Sequence, residues 1–78
     1  MKFTEDYLCG AYTAEYNRAI SSAGITLTPA EEAALREGIG IAAEAGSKLV
    51  WEDEAAMIRE MHGHIAVNVD LWLEARGE

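Results

Sequence analysis

Thr28, Pro29, Ala30 and Glu31 form the segment that most constrains how this chain can fold. A threonine before a proline, with a glutamate three positions after the threonine, is the capping box of an α-helix. The threonine hydroxyl accepts from the backbone N–H of the glutamate, the glutamate side chain accepts from that of the threonine, and proline occupies a position whose missing N–H costs nothing. The segment therefore predicts that a helix begins at Pro29, and the amphipathic pattern that follows predicts a helix over residues 29–46.

The first part of the chain has the same helical periodicity. Thr4 can cap a first turn that contains two carboxylates, which suit the positive end of the helix dipole. Apolar residues then recur on one face as far as Ala23, and Gly24 is a natural residue to end the helix because glycine readily takes a positive φ. The pattern predicts a helix over residues 4–23.

The last third of the chain fits two interpretations. Ile58, Met61, Ile65 and Val69 share one helical face, which predicts a helix over residues 52–76. Residues 64–74 also alternate between apolar and polar positions, which is typical of a strand. A lone strand could pair only across a dimer, so we favour the helix and an all-α, three-helix bundle.

The chain is predicted to form a single acidic helical domain over residues 1–78. Half of its residues are hydrophobic, which is enough for a packed core and argues against disorder. A single core in so short a chain supplies only roughly 3–5 kcal/mol of net stability. Its one cysteine cannot form an intrachain disulfide, so a homodimer is a reasonable expectation.

The net charge of −8 comes from 14 acidic and 6 basic side chains. Direct binding to nucleic acid or to an anionic membrane needs basic patches, so both are disfavoured, whereas a basic protein surface would be attracted. The acidity also has an ordinary explanation, because half of the carboxylates lie at predicted helix starts, where they stabilise the helix dipole. These residues are Glu5, Asp6, Glu31, Glu32, Glu52, Asp53 and Glu54.

One end of the predicted bundle collects several of these carboxylates. In an up-down-up bundle the first and third helices begin at the same end, where a negative patch could steer a basic partner. Tyrosine and tryptophan are enriched at interfaces, and two such residues near this end lie off the predicted core faces. The predicted partner-binding residues are Glu5, Asp6, Tyr7, Trp51, Glu52, Asp53 and Glu54.

The second helix has small residues at every fourth position. Ala34, Gly38, Ala42 and Gly46 form a shallow stripe, and an interior glycine costs about 1 kcal/mol relative to alanine. Close approach of another helix is the natural compensation. The stripe therefore predicts close helix packing or self-association, and the wide apolar face of this helix suggests that it is the middle helix of the bundle.

The residues that could carry chemistry form no recognisable catalytic or metal site. His62 and His64 point in directions about 200° apart on a helix, so they cannot share one ion. Cys9 has no basic residue at helical spacing that would activate it. The Gly38-x-Gly40 pair lies inside a helical pattern, where no phosphate loop is expected. We therefore expect no enzyme, no metal and no cofactor.

The features together predict a small acidic protein that acts by binding another protein. The N-terminal residues are acidic and lack the apolar run of a signal peptide, which favours the cytoplasm. By composition alone the chain is similar to inhibitors that cover a basic, nucleic-acid-binding surface, such as phage-encoded anti-CRISPR proteins. The alternative is a self-associating helical structural or adaptor module that uses the small-residue stripe as its seam.

Overall fold

The computed structural model describes residues 1–77, and this part of the chain contains three α-helices and no strand. Helix α1 spans Glu5–Ala23, α2 spans Pro29–Ser47 and α3 spans Glu54–Ala75. The all-α, three-helix prediction is confirmed. Residues 64–74 are helical throughout, so the strand interpretation was wrong.

Each helix is preceded by a capping residue whose side chain accepts a hydrogen bond from a backbone N–H of the first turn. The Thr4 hydroxyl accepts a hydrogen bond from the Tyr7 amide at 3.1 Å. Thr28 and Glu31 form the full capping box, with both reciprocal bonds present. The Asp53 carboxylate accepts from the Ala56 amide at 2.8 Å, so α3 begins at Glu54, two residues later than predicted.

Helix α1 ends at Ala23 and is capped by Gly24, as its sequence predicts. Gly24 has φ of 69°, and its N–H donates to the carbonyls of Ile20 and Ser21. The Ile25 N–H donates to the same Ile20 carbonyl at 3.2 Å, which completes a Schellman motif. Ile25 is itself buried, so this turn both ends α1 and anchors the connection to α2.

Helix α1 is the central helix of the molecule. It packs against both α2 and α3, whereas α2 and α3 make no close backbone contact with each other in residues 1–77. The prediction that α2 is the middle helix was therefore wrong, because the wide apolar face of α2 is not covered by a second neighbour. The buried cluster comprises Leu8, Tyr12, Tyr16, Ile39, Ala43, Met57, Met61 and Ile65.

The molecule is more extended than a compact chain of its size. Its radius of gyration is 12.9 Å, against about 11.5 Å expected for a compact domain of this length. The principal extents are 40 × 21 × 15 Å, because α2 and α3 flank α1 without closing on each other. One side of the molecule is therefore open.

Within residues 1–77, no helix is both long enough and apolar enough to cross a membrane.

Candidate functional site

The N-terminus of the chain is held against the α2–α3 loop. The amino group of Met1 donates to the Trp51 carbonyl at 2.7 Å, and the Trp51 N–H donates to the Met1 carbonyl at 2.7 Å. Met1 precedes the start of α1 by four residues and Trp51 precedes the start of α3 by three. This reciprocal pair therefore brings the two acidic helix starts to the same end of the molecule.

We call the carboxylates Glu5, Asp6, Glu52, Asp53 and Glu54 the acidic end. All five residues are exposed, and none of them forms an ion pair within residues 1–77. Lys48 pairs with Glu44 at 3.4 Å, whereas the charged terminal amino group and Lys2 lie just before α1 and offset part of the negative charge. The acidic end is therefore a surface with an excess of negative charge, and Asp53 also caps α3.

Tyr7 lies beside the acidic end and is 47 % exposed. Its ring stacks on that of Phe3, with centroids 5.4 Å apart and planes inclined by 16°. The stack holds the tyrosine ring in place, so little side-chain entropy remains to be lost when a partner contacts it. Tyr7 thus has the exposure that its predicted interface role requires.

Trp51 is positioned by contacts within the molecule. Its indole N–H donates to the Gly46 carbonyl at 3.2 Å, and its side chain is partly buried against the core. The ring fastens the α2–α3 loop to the end of α2. Trp51 therefore has a structural role that the sequence did not reveal, and its predicted contact with a partner is limited to the part of the ring that remains exposed.

The small-residue stripe of α2 divides into a packed half and an open half. A Cβ atom added at Gly46 would lie 3.0 Å from Leu8 Cδ1, so α1 approaches α2 closely at this glycine. A Cβ added at Gly38 would meet nothing within 4 Å. Ala42 is partly buried, whereas Ala34 and Gly38 are exposed. Close helix packing thus accounts for Gly46 and leaves Gly38 without an intramolecular explanation.

The open half of the stripe forms one wall of a groove between α2 and α3, which we call the α2–α3 groove. Its volume is about 450 Å³, and the two tyrosines of α1 form its floor. The sequence alone does not indicate this groove, because it exists only where two helices do not meet. The lining residues include Tyr12, Tyr16, Ala34, Gly38, Ile41, Ala45, His64, Asn68 and Trp72.

Aromatic and polar contacts hold the floor of the groove. The Asn68 side-chain amide donates to the Tyr16 hydroxyl at 2.6 Å, and the Tyr16 and Trp72 rings lie 6.0 Å apart. The Tyr12 ring meets His64 edge-on, with centroids 6.3 Å apart. Burial, together with the nearby Tyr16 and Glu60, raises the pKa of Tyr12, so its hydroxyl stays protonated at neutral pH.

The two histidines lie in different surroundings. His62 Nε2 is 3.2 Å from a carboxylate oxygen of Glu15 on α1, whereas His64 packs against Tyr12 on the groove side. Residues 1–77 contain no group of three or more side chains that could hold a metal ion. Cys9 is a partly buried free thiol.

Comparison of the chain with protein-family models, with curated proteins and with solved structures finds no match.

Proposed function

We propose that this chain is a non-enzymatic protein that acts by binding a basic surface of another protein through its acidic end. The observation that supports the proposal is the grouping of five exposed carboxylates, without ion pairs in residues 1–77, around the Met1–Trp51 pair. Helix-dipole stabilisation accounts for a carboxylate in each first turn, but it does not require two helix starts to lie together.

Such a surface acts mainly on the rate of association. Charges of one sign on a small area raise the encounter rate with an oppositely charged partner, and salt screens the effect over about 8–10 Å. The exposed Tyr7 ring adds an amphipathic contact next to the carboxylates, and its face can receive a lysine or arginine side chain. Together these groups match a basic surface better than an apolar one.

A nucleic-acid-binding groove is the kind of basic surface that we infer as the target. Such grooves place lysine and arginine side chains where phosphates lie, and an array of carboxylates can occupy the same positions. The chain would then be a cytoplasmic inhibitor of the anti-CRISPR type, encoded by a phage or a bacterium. Binding and inhibition would both follow from covering the basic residues of the target.

The test is affinity capture from a lysate of the source organism, or of its host if the source is a phage, at low and at moderate salt. The variant Glu5→Lys with Glu52→Lys reverses two charges of the acidic end and leaves the Asp53 cap intact. The control variant, Glu32→Lys with Asp70→Lys, makes the same change in net charge at exposed positions away from the acidic end.

We expect the wild-type chain to retain one stoichiometric partner that is released as salt rises. The acidic-end variant should associate at least tenfold more slowly, with a weaker dependence on salt, and the control variant should retain the partner. Equal losses in both variants would show that net charge alone, not the acidic end, determines the interaction.

Self-association is the second candidate function, and the exposure of Ala34 and Gly38 favours it. A second copy could pack its own stripe against this one, although two chains of net charge −8 repel each other. Sedimentation equilibrium over a range of concentrations tests the candidate. A dimer that Gly38→Leu dissociates without loss of helix would support it, and a monomer at all concentrations would exclude it.

A further inference from the structure

The α2–α3 groove extends over two to three helical turns of each wall. It is lined by residues within 34–45 of α2 and 64–72 of α3, segments that at about 1.5 Å per residue are roughly 17 and 12 Å long. The backbones of α2 and α3 do not approach each other closely along this length, and the floor between them is formed by Tyr12 and Tyr16. A fourth helix laid along the groove would contact α2 and α3 together.

The two walls of the groove differ in the size of their side chains. On α2, Ala34, Gly38 and Ala45 leave the backbone accessible, and no atom occupies the space that a Gly38 Cβ would fill. On α3, Val67 and Leu71 follow the lining residue His64 by three and seven residues, so they lie beside the groove without being among its lining residues. Ile41, Val67 and Leu71 are each more than half exposed. The groove and the α3 surface beside it therefore offer uncovered apolar area and room for close helix approach.

Tyr12 adds an observation that is independent of the apolar walls. Its side chain is only 9 % exposed, it lines the groove, and its hydroxyl has no hydrogen-bond partner in residues 1–77. No side-chain oxygen or nitrogen in this part of the chain is both inaccessible and unpartnered. The hydroxyl is therefore accessible, and water or a group from a ligand can bond it.

The charged residues around the groove indicate the sign of the charge that a ligand should carry. Glu37 precedes Ile41 by one helical turn, Glu60 precedes His64 by one turn, and Glu74 follows Leu71 by three residues. None of these three exposed carboxylates forms an ion pair within residues 1–77, whereas Lys48 and Arg76 are both paired with glutamates. The rim is therefore acidic on both walls.

We infer that the α2–α3 groove is the docking site for an amphipathic helix of a partner protein, with an apolar stripe flanked by lysine or arginine. The apolar stripe would lie on Ile41, Val67 and Leu71, with the basic flanks opposite the rim carboxylates. A basic side chain near Glu60 could also donate to the Tyr12 hydroxyl oxygen. A second copy fits less well, because its net charge of −8 would meet an acidic rim.

This inference rests on the proposed protein-binding function, but it concerns a different surface, so the two can fail separately. The probe is a synthetic amphipathic peptide of about 18 residues with leucine and alanine on one face and lysine on both flanks. The matched control peptide carries glutamate at every lysine position. Binding is measured by calorimetry and located by amide chemical-shift changes in the isotope-labelled full chain.

Two glycine variants test the location of the site. Gly38→Leu fills the groove, whereas Gly40→Leu makes the same change two residues away, on the face of α2 turned from the groove. Neither glycine has any atom within 4 Å of an added Cβ, so both variants are expected to fold, and circular dichroism verifies this. Glu60→Gln and Tyr12→Phe test the rim charge and the floor hydroxyl.

We expect the basic peptide to bind, with shifts concentrated at Gly38, Ile41 and Asn68. Gly38→Leu should weaken binding at least tenfold, whereas Gly40→Leu should change it less than twofold. Glu60→Gln should weaken binding and reduce its salt dependence, and Tyr12→Phe should weaken it about fivefold, the usual effect of one hydrogen bond.

Other results would overturn the inference. Chemical-shift changes confined to the acidic end would show that the peptide does not bind in the groove. They would leave the proposed function intact. Equal binding of the basic and acidic peptides, or no binding of either, would reject a basic helix as the ligand. Concentration-dependent shifts in the groove without peptide would assign it to a second copy of the chain.

Discussion

The guanidinium of Arg76 donates two hydrogen bonds to the carboxylate of Glu31 and so joins the end of α3 to the first turn of α2. Arg76 Nη1 lies 3.0 Å from Glu31 Oε2, and Nη2 donates to Oε1 of the same carboxylate. Arg76 also donates to the carbonyls of Trp72 and Thr26. Because α2 and α3 have no close backbone contact, this pair is a direct side-chain link across one end of the groove.

The Arg76–Glu31 pair predicts a specific loss of stability in acid. Hydrogen bonds from Arg76, and then those from Thr28, lower the pKa of Glu31 from 4.5 to about 2. A carboxylate whose pKa is lowered on folding stabilises the native state above its unfolded pKa, and this contribution disappears as pH falls toward the folded value. The stabilisation from Glu31 should therefore be complete above pH 4.5 and be lost progressively down to about pH 2.

The variant Glu31→Gln isolates this contribution because it removes the charge while keeping a side-chain oxygen that can accept from the Thr28 amide. Thermal unfolding midpoints measured from pH 2 to 6 should depend less on pH in the variant than in the wild type. The control Glu32→Gln changes an exposed neighbour without such bonds and should retain the wild-type slope. Equal slopes for Glu31→Gln and the wild type would contradict the assignment.

The parts of the fold that could be read from the sequence are those determined by local chemistry. The Thr28 capping box and the Gly24 helix end depend on residues within one turn of each other, so their geometry follows from residue type. The location of Glu5 and Glu54 at the same end could be predicted because helices joined by short loops alternate in direction. The first and third helices therefore begin at the same end of the bundle. The reciprocal Met1–Trp51 bonds that bring these starts together could not be predicted, since they join residues distant in sequence.

The groove and the central position of α1 could not be predicted from the sequence either, and the reason is different. The small residues of α2 indicated close packing, but which of them meets a neighbour depends on where α1 crosses. That crossing places Gly46 against Leu8 and leaves Gly38 open. A periodic pattern identifies an apolar face and does not reveal whether that face is covered, so the groove emerged only from the tertiary arrangement.

Gly46 packs against α1 and Gly38 does not, so replacing each of them with leucine should affect stability differently. Gly46→Leu should destabilise the fold by about 1–3 kcal/mol, because its side chain would enter the space held by Leu8 Cδ1, 3.0 Å from the new Cβ. Gly38→Leu should leave stability unchanged or raise it by up to about 1 kcal/mol through better helix propensity. Urea unfolding followed by circular dichroism measures both. Equal effects would show that α1 does not approach α2 closely at Gly46.

Trp51→Phe tests the fastening of the α2–α3 loop. The phenylalanine ring keeps an apolar contact with the core but cannot donate to the Gly46 carbonyl, which accepts from Trp51 at 3.2 Å. We expect a loss of about 0.5–1.5 kcal/mol in the free energy of unfolding, the usual contribution of one hydrogen bond. Hydrogen exchange should also accelerate at the backbone amide of residue 51, which in the wild type donates to the Met1 carbonyl. Unchanged stability and exchange would mean that the indole N–H does not secure the loop.

The contrast between Met61 and Leu71 separates residues that maintain the fold from those available for binding. Met61 is 1 % exposed at the centre of the core, so Met61→Ala should cost about 2–5 kcal/mol. That loss is comparable to the whole stability of a domain of this size, and the variant should be largely unfolded at room temperature. Leu71 is 55 % exposed beside the groove, so Leu71→Ala should change stability by about 0.5 kcal/mol or less. Circular dichroism and urea titration measure both, and a large loss for Leu71→Ala would show that this residue supports the fold rather than lying free for a partner.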